Sequence, residues 1–129
     1  MEKYKVQKML PKWYELALGA DIIYPGSSRR LQTGQWRSSR PIWNYVSENT
    51  GCIQCGVCVI YCPEGCIKMK PLKESGFDLS KLTPNSHLKP DSLVPVPDYD
   101  YCKGCGICAR ECWTGCIKMI PEEEVRENG

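Results

Sequence analysis

The chain has 129 residues, 17 Lys and Arg against 15 Asp and Glu, ten cysteines, ten prolines and eleven glycines. A formal charge of +2 argues against a nucleic-acid binder that works by charge, and the length allows one small domain with appendages around a modest core. No apolar stretch approaches membrane-spanning length and the opening MEKYKVQKMLPKWYELA holds no signal-peptide core, so neither a membrane role nor export is expected, and a reducing cytoplasm is.

Residues 1–30 carry Tyr4, Val6, Met9, Leu10, Trp13, Tyr14, Leu16, Leu18, Ile22, Ile23 and Tyr24, a richer apolar set than the middle of the chain. Pro11 interrupts any helix, leaving a short helical stretch over Lys12–Leu18 that stops near Gly19. These side chains either fold back or lie on another polypeptide. The second reading is preferred, because such a patch left in water is an aggregation hazard. Pro25–Ser28 signals a turn. Arg29, Arg30, Arg37 and Arg40, with Trp36 among them, then read as an extended arm. It is either simply solvated or offers its guanidinium forks to carboxylates of a partner chain, the reading that suits the whole better. Nucleic acid is disfavoured, since the charge is near zero and no nucleic-acid module is recognised. Pro41–Val46 alternates apolar and bulky residues and predicts a strand.

That strand leads into CIQCGVCVIYCPEGCIKM (Cys52–Met69), and the pattern returns as CKGCGICARECWTGCIKM (Cys102–Met119). Each copy contains C-x2-C-x2-C-x3-C, the run of bacterial-type ferredoxins that hold two 4Fe–4S clusters. Three thiolates within seven residues can cap three corners of one iron–sulfur cube, and Gly56, Gly104 and Gly106 let the backbone turn closely around it. The fourth cysteine lies one helical turn further on, roughly 6 Å away, which favours the neighbouring cluster. The expected sets are Cys52, Cys55, Cys58 and Cys112 for one cluster, and Cys102, Cys105, Cys108 and Cys62 for the other. Zinc would use two separated C-x2-C pairs and leave the third cysteine of each triplet unexplained. Disulfides do not suit a chain without an export signal. With both clusters loaded the net charge becomes about −2, milder than the acidic surface a freely diffusing ferredoxin uses to find partners.

A short helix is expected from Cys58 to Cys62, ended by Pro63, then a strand at Cys66–Lys70; the second copy repeats this with a strand at Cys116–Ile120. Trp113 replaces the proline and reads as a ring packed over the cluster. Cys66 and Cys116 are either spare ligands, redox-active thiols or small packing residues, the last being preferred. The linker 71–97 lacks periodicity and reads as a surface loop, with His87 a solvated side chain. Val94–Tyr101 predicts a strand into the second run, and Glu122–Glu124 with Glu127 a solvated acidic end.

Joined to GADIIYPGSS (Gly19–Ser28) and TGQWRSSRPI (Thr33–Ile42), the runs CIQCGVCVIYCPEG (Cys52–Gly65) and DYDYCKGCGICAREC (Asp98–Cys112) resemble the delta subunit of 2-oxoacid:ferredoxin oxidoreductases. The PGSS and TG-x-WR-x-x-RP pieces are the specific part of the resemblance. It implies an α+β, pseudo-symmetric two-cluster ferredoxin-like fold over 42–129, with an extended N-terminal partner-binding arm over 1–41 and the long loop 71–97 between the repeats. It also implies a non-catalytic role. Thiamine diphosphate and Mg in partner subunits would decarboxylate pyruvate or another 2-oxoacid and acylate coenzyme A. This chain would carry the electrons to an external ferredoxin. A free-standing ferredoxin and a subunit of another anaerobic redox complex are the alternatives.

Overall fold

The computed structural model describes residues 12–20, 26–47, 51–83 and 86–127. Tyr4, Val6, Met9, Leu10, Ile22, Ile23, Tyr24 and Pro25 lie outside the described residues. The chain divides into two compact units, Met1–Gln32 and Thr33–Gly129. In the first, the stretch Lys12–Leu18 is a single 3-10 turn, Trp13–Glu15, rather than a longer helix, because Leu16 is already extended. Further one-turn 3-10 helices cover Leu18–Ala20 and Ser27–Arg30. Trp13, Tyr14, Leu16 and Leu18 are all exposed.

The second unit mixes short strands and helices: β1 (Ser39–Trp43), α1 (Val57–Tyr61), β2 (Ile67–Pro71), β3 (Leu93–Pro97), α2 (Ile107–Arg110), β4 (Ile117–Pro121) and α3 (Glu122–Glu127). They form two separate antiparallel ribbons, β1 with β4 and β2 with β3. Trp43 faces Ile117 in one ribbon, and Ile67 faces Pro97 in the other. Period-2 alternation sets the faces: Ile67 and Ile117 are buried, Lys68 and Lys118 exposed. Helix α1 starts after Gly56, whose φ of 72° is left-handed, and stops at Cys62, which Pro63 holds extended. Helices α1 and α2 pack on each other, and each packs on the strand that follows it.

The core corrects three expectations. Residues 71–97 are not only a surface loop. They supply Leu72, Leu88 and Val94 to the buried core, along with β3 and 3-10 turns at Leu72–Glu74 and Leu79–Lys81. Phe77 from the same stretch meets the Tyr45 ring edge-on, with centroids 5.9 Å apart. The unit boundary falls after Gln32, not after residue 41, because Thr33–Arg40 is bonded to the second unit. The Thr33 hydroxyl donates to the Tyr101 carbonyl at 2.8 Å and the Gly34 N–H to the Asp100 carbonyl at 2.8 Å. A Cβ on Gly34 would sit 2.0 Å from the Tyr99 carbonyl oxygen, so only glycine fits.

Nor is Glu122 part of a solvated tail, or Arg37 and Arg40 arms held out to another chain. The Glu122 carboxylate is buried between the Arg37 and Arg40 guanidiniums, with two contacts to Arg40 at 2.7 Å. Arg40 holds its pKa well down, to about 2, and Arg37 adds to this. Both guanidiniums also lie over the Tyr99 ring, at 4.7 Å for Arg40 and 5.4 Å for Arg37.

Candidate functional site

The two cysteine runs are anchored by matching bonds. The Asn44 N–H donates to the Cys116 carbonyl at 2.8 Å, and the Asp98 N–H to the Cys66 carbonyl at 2.7 Å. One residue on, the Tyr45 hydroxyl donates to the Pro95 carbonyl at 2.6 Å and the Tyr99 hydroxyl to the Pro41 carbonyl at 2.7 Å. Burial pushes the Tyr99 hydroxyl up to about 12 and raises Tyr45 as well, so both remain donors. Each tyrosine thereby ties the strand entering one half to the strand entering the other.

This frame gathers the cysteines around two cavities. The first is bordered by Cys62, Cys102, Cys105 and Cys108, the second by Cys52, Cys55, Cys58 and Cys112. The open spaces are nearly equal, about 340 and 330 Å³ with their mouths included. None of the ten cysteines is in a disulfide. Among the described residues, no three His, Cys, Asp or Glu side chains converge as ligands of one metal ion would. The thiols stand around a space instead of about a point, a donor set that fits a group larger than an ion and rich in soft metal.

Cys66 and Cys116 are buried and add a fifth sulfur to each cavity wall. Cys66 Sγ lies 3.5 Å from Cys62 Sγ, and Cys116 Sγ 3.5 Å from Cys112 Sγ. Both have raised pKa values, chiefly because their neighbours Cys102 and Cys52 take the charge. The neighbouring Cys66 thiol draws the Cys102 thiol down, and Cys116 does the same for Cys52. They stay S–H donors packed against the other sulfurs. Burial instead pushes Cys58 up to about 11 and Cys108 to about 12.

Beyond the sulfurs the walls differ. Pro63, Glu64 and Lys103 line the first cavity, and Lys103 Nζ is 2.9 Å from the Glu64 carboxylate. Trp43, Ile53 and Trp113 line the second. Trp113 borders it but keeps 81% of its surface in water, so it is a rim and not a packed lid. The Trp43 indole is only 7% exposed, and its Nε1–H has no hydrogen-bond partner among the described residues. A buried donor without an acceptor is costly, and a sulfur-rich group in the cavity would supply one.

The chain matches the 4Fe-4S dicluster domain family over residues 51–116. It is 39% identical over 87 residues to pyruvate synthase subunit PorD of Methanothermobacter marburgensis, covering 67% of this chain and 73% of that one. The chain belongs to the PorD family. PorD of Thermotoga maritima is 36% identical over 94 residues, covering 73% of this chain and 71% of that one. Ketoisovalerate oxidoreductase subunit VorD of Pyrococcus furiosus is 38% identical over 88 residues, covering 68% of this chain and 54% of that one. Two further side chains hold the carbonyls that open the cysteine runs. His87 is exposed, as expected, and also places Nε2 at 2.7 Å from the Cys52 carbonyl. A carbonyl only accepts, so Nε2 carries the proton. Arg37 Nη1 donates to the Cys102 carbonyl at 3.0 Å and also to that of Tyr99. Among the described residues, no helix is long and apolar enough to cross a membrane.

Proposed function

We propose that this chain is the electron-transfer subunit of a 2-oxoacid:ferredoxin oxidoreductase, with pyruvate as the 2-oxoacid. Its second unit is a pseudo-symmetric two-cluster ferredoxin-like fold. Cys52, Cys55, Cys58 and Cys112 hold one 4Fe–4S cluster, and Cys102, Cys105, Cys108 and Cys62 the other. When bound, each cluster supplies a centre that takes up and releases one electron. The chain's own residues hold it through thiolates, exclude water with apolar walls, and fix the loops through the Arg37–Glu122–Arg40 clamp. The observation that carries this reading is that each cavity is bordered by three thiols of one run and the fourth of the other. The pyruvate synthase names of its relatives support the oxidoreductase setting.

In this reading the exposed apolar side chains Trp13, Tyr14 and Leu16 of the first unit dock on catalytic subunits that hold thiamine diphosphate and Mg. Those subunits pass the carbon product to coenzyme A, and an external ferredoxin receives the electrons. The test is to purify the native assembly, identify the chains that accompany this one, and add pyruvate with coenzyme A under anaerobic conditions. The expected result is reduction of both clusters of this chain, seen by electron paramagnetic resonance. Deleting residues 1–32 should leave both clusters in place and abolish assembly. A monomer that shuttles electrons alone would make it a free ferredoxin, and a colourless zinc-loaded protein would end the cluster assignment.

A further inference from the structure

Trp43 ends β1, and its indole lines the cavity that Cys52, Cys55, Cys58 and Cys112 border. The ring is 7% exposed and its Nε1–H is buried without a partner among the described residues. A donor held this way costs stability unless an acceptor arrives. The cysteine sulfurs that border the same cavity can accept from it. Among the described residues, the other cavity has no counterpart. Trp43 pairs with Ile117 and Pro97 with Ile67, and Ile67 and Ile117 hold the same place in the two CIKM sequences. The position matching Trp43 is therefore Pro97, which has neither an N–H nor a polar side chain.

We propose that Trp43 tunes one of the two redox centres, its indole N–H donating to a sulfur in the cavity that Cys52, Cys55, Cys58 and Cys112 border and raising the potential of the cluster held there. This rests on the cluster reading above. The physical reason is differential. One added electron makes the cluster and its thiolates more negative, so a fixed donor stabilises the reduced state more than the oxidised one. No bond breaks, and the indole keeps its proton.

The test uses the full chain loaded with both clusters, titrated with dithionite through viologen mediators, and compares wild type with Trp43→Phe. One cluster's potential should become more negative. At its wild-type midpoint the ratio of reduced to oxidised centre should fall by about threefold to tenfold, the span set by a hydrogen bond of ordinary strength. The second cluster should not move. In heavy water, pulsed resonance on the affected cluster should lose one exchangeable deuteron coupling. Benzothienylalanine at position 43 keeps two fused rings and replaces the N–H by sulfur. It should give the same shift, which separates the donor from its packing. Unchanged potentials in both variants, equal shifts of both clusters, or a deuteron coupling that survives would overturn the proposal. Iron and sulfide analysis before titration tells this failure from the broader one: a wild-type chain without clusters overturns the site reading and this inference together.

Discussion

The carbonyls of Cys52 and Cys102 open the two halves, and different hands hold them. His87 meets the first at 2.7 Å from the middle of the chain. Arg37 meets the second at 3.0 Å, and Glu122 in turn holds Arg37. The next loop position differs too. Gln54 takes a left-handed φ of 59° and sends its amide to the Leu93 carbonyl at 2.8 Å. Gly104, at φ 70°, lies so close to the Ser39 carbonyl that a Cβ would stand 2.2 Å from its oxygen. The backbone frame is duplicated, while the surroundings are not. One half is braced by an ion network and bordered by Lys103. The other is apolar, with two tryptophans at its wall. Equal backbone bonds can thus carry two centres in different electrostatic settings.

The largest effect should come from breaking the exchange of cysteines between halves. Cys112→Ser should cost about half of the bound iron and sulfide. Adding Cys52→Ser should then cost little more, whereas adding Cys102→Ser should remove nearly all. If Cys52→Ser were the additive change, the cysteines would not cross. Next, Glu122→Gln strips two guanidiniums of their carboxylate. Removing one partner of a buried pair costs on the order of 3–5 kcal/mol. Faster release of the centre held by Cys102, with the other unaffected, would be seen in time-resolved absorption. Equal release from both would show that the clamp braces the whole unit.

A smaller contrast sets Gly104→Ala against Gln54→Ala. The first forces a Cβ onto the Ser39 oxygen and should destabilise by about 2–3 kcal/mol, while the second loses one exposed hydrogen bond, about 0.5–1.5 kcal/mol. Similar losses in denaturant unfolding would mean that the two loops are equally packed. The smallest effect is in pH. Glu122 is held down to about 2 from an ordinary value of 4.5, so its contribution is fully present above the unfolded value and fades as pH falls toward the folded one. The stability gap between wild type and Glu122→Gln should stay flat from about pH 8 to about pH 5 and narrow only below about 4.5. Narrowing near neutrality would implicate another group.

The cysteine runs and the strands beside them were legible because their signals are local: fixed spacings, a proline after Cys62, and period-2 alternation at Ile67–Met69 and Ile117–Met119. The clamp was not. Arg37 and Glu122 lie 85 residues apart, and each reads by itself as a solvated charge in a charged run. Leu72 and Leu88 escaped for a related reason. They plug the core singly from an irregular stretch, so no periodic stripe marks them. Trp43 could be read as a strand residue, but its idle N–H needs the burial that only the assembled unit provides.

Strand β1 closes against β4, and β2 against β3, so the segment ahead of the first run finds its mate only in residues 117–121. During synthesis β1 therefore waits, with its bonding edge unpaired, until residues 117–121 have left the ribosome. A nascent product cut short before Ile117 would lack one complete ribbon, however intact its first cysteines.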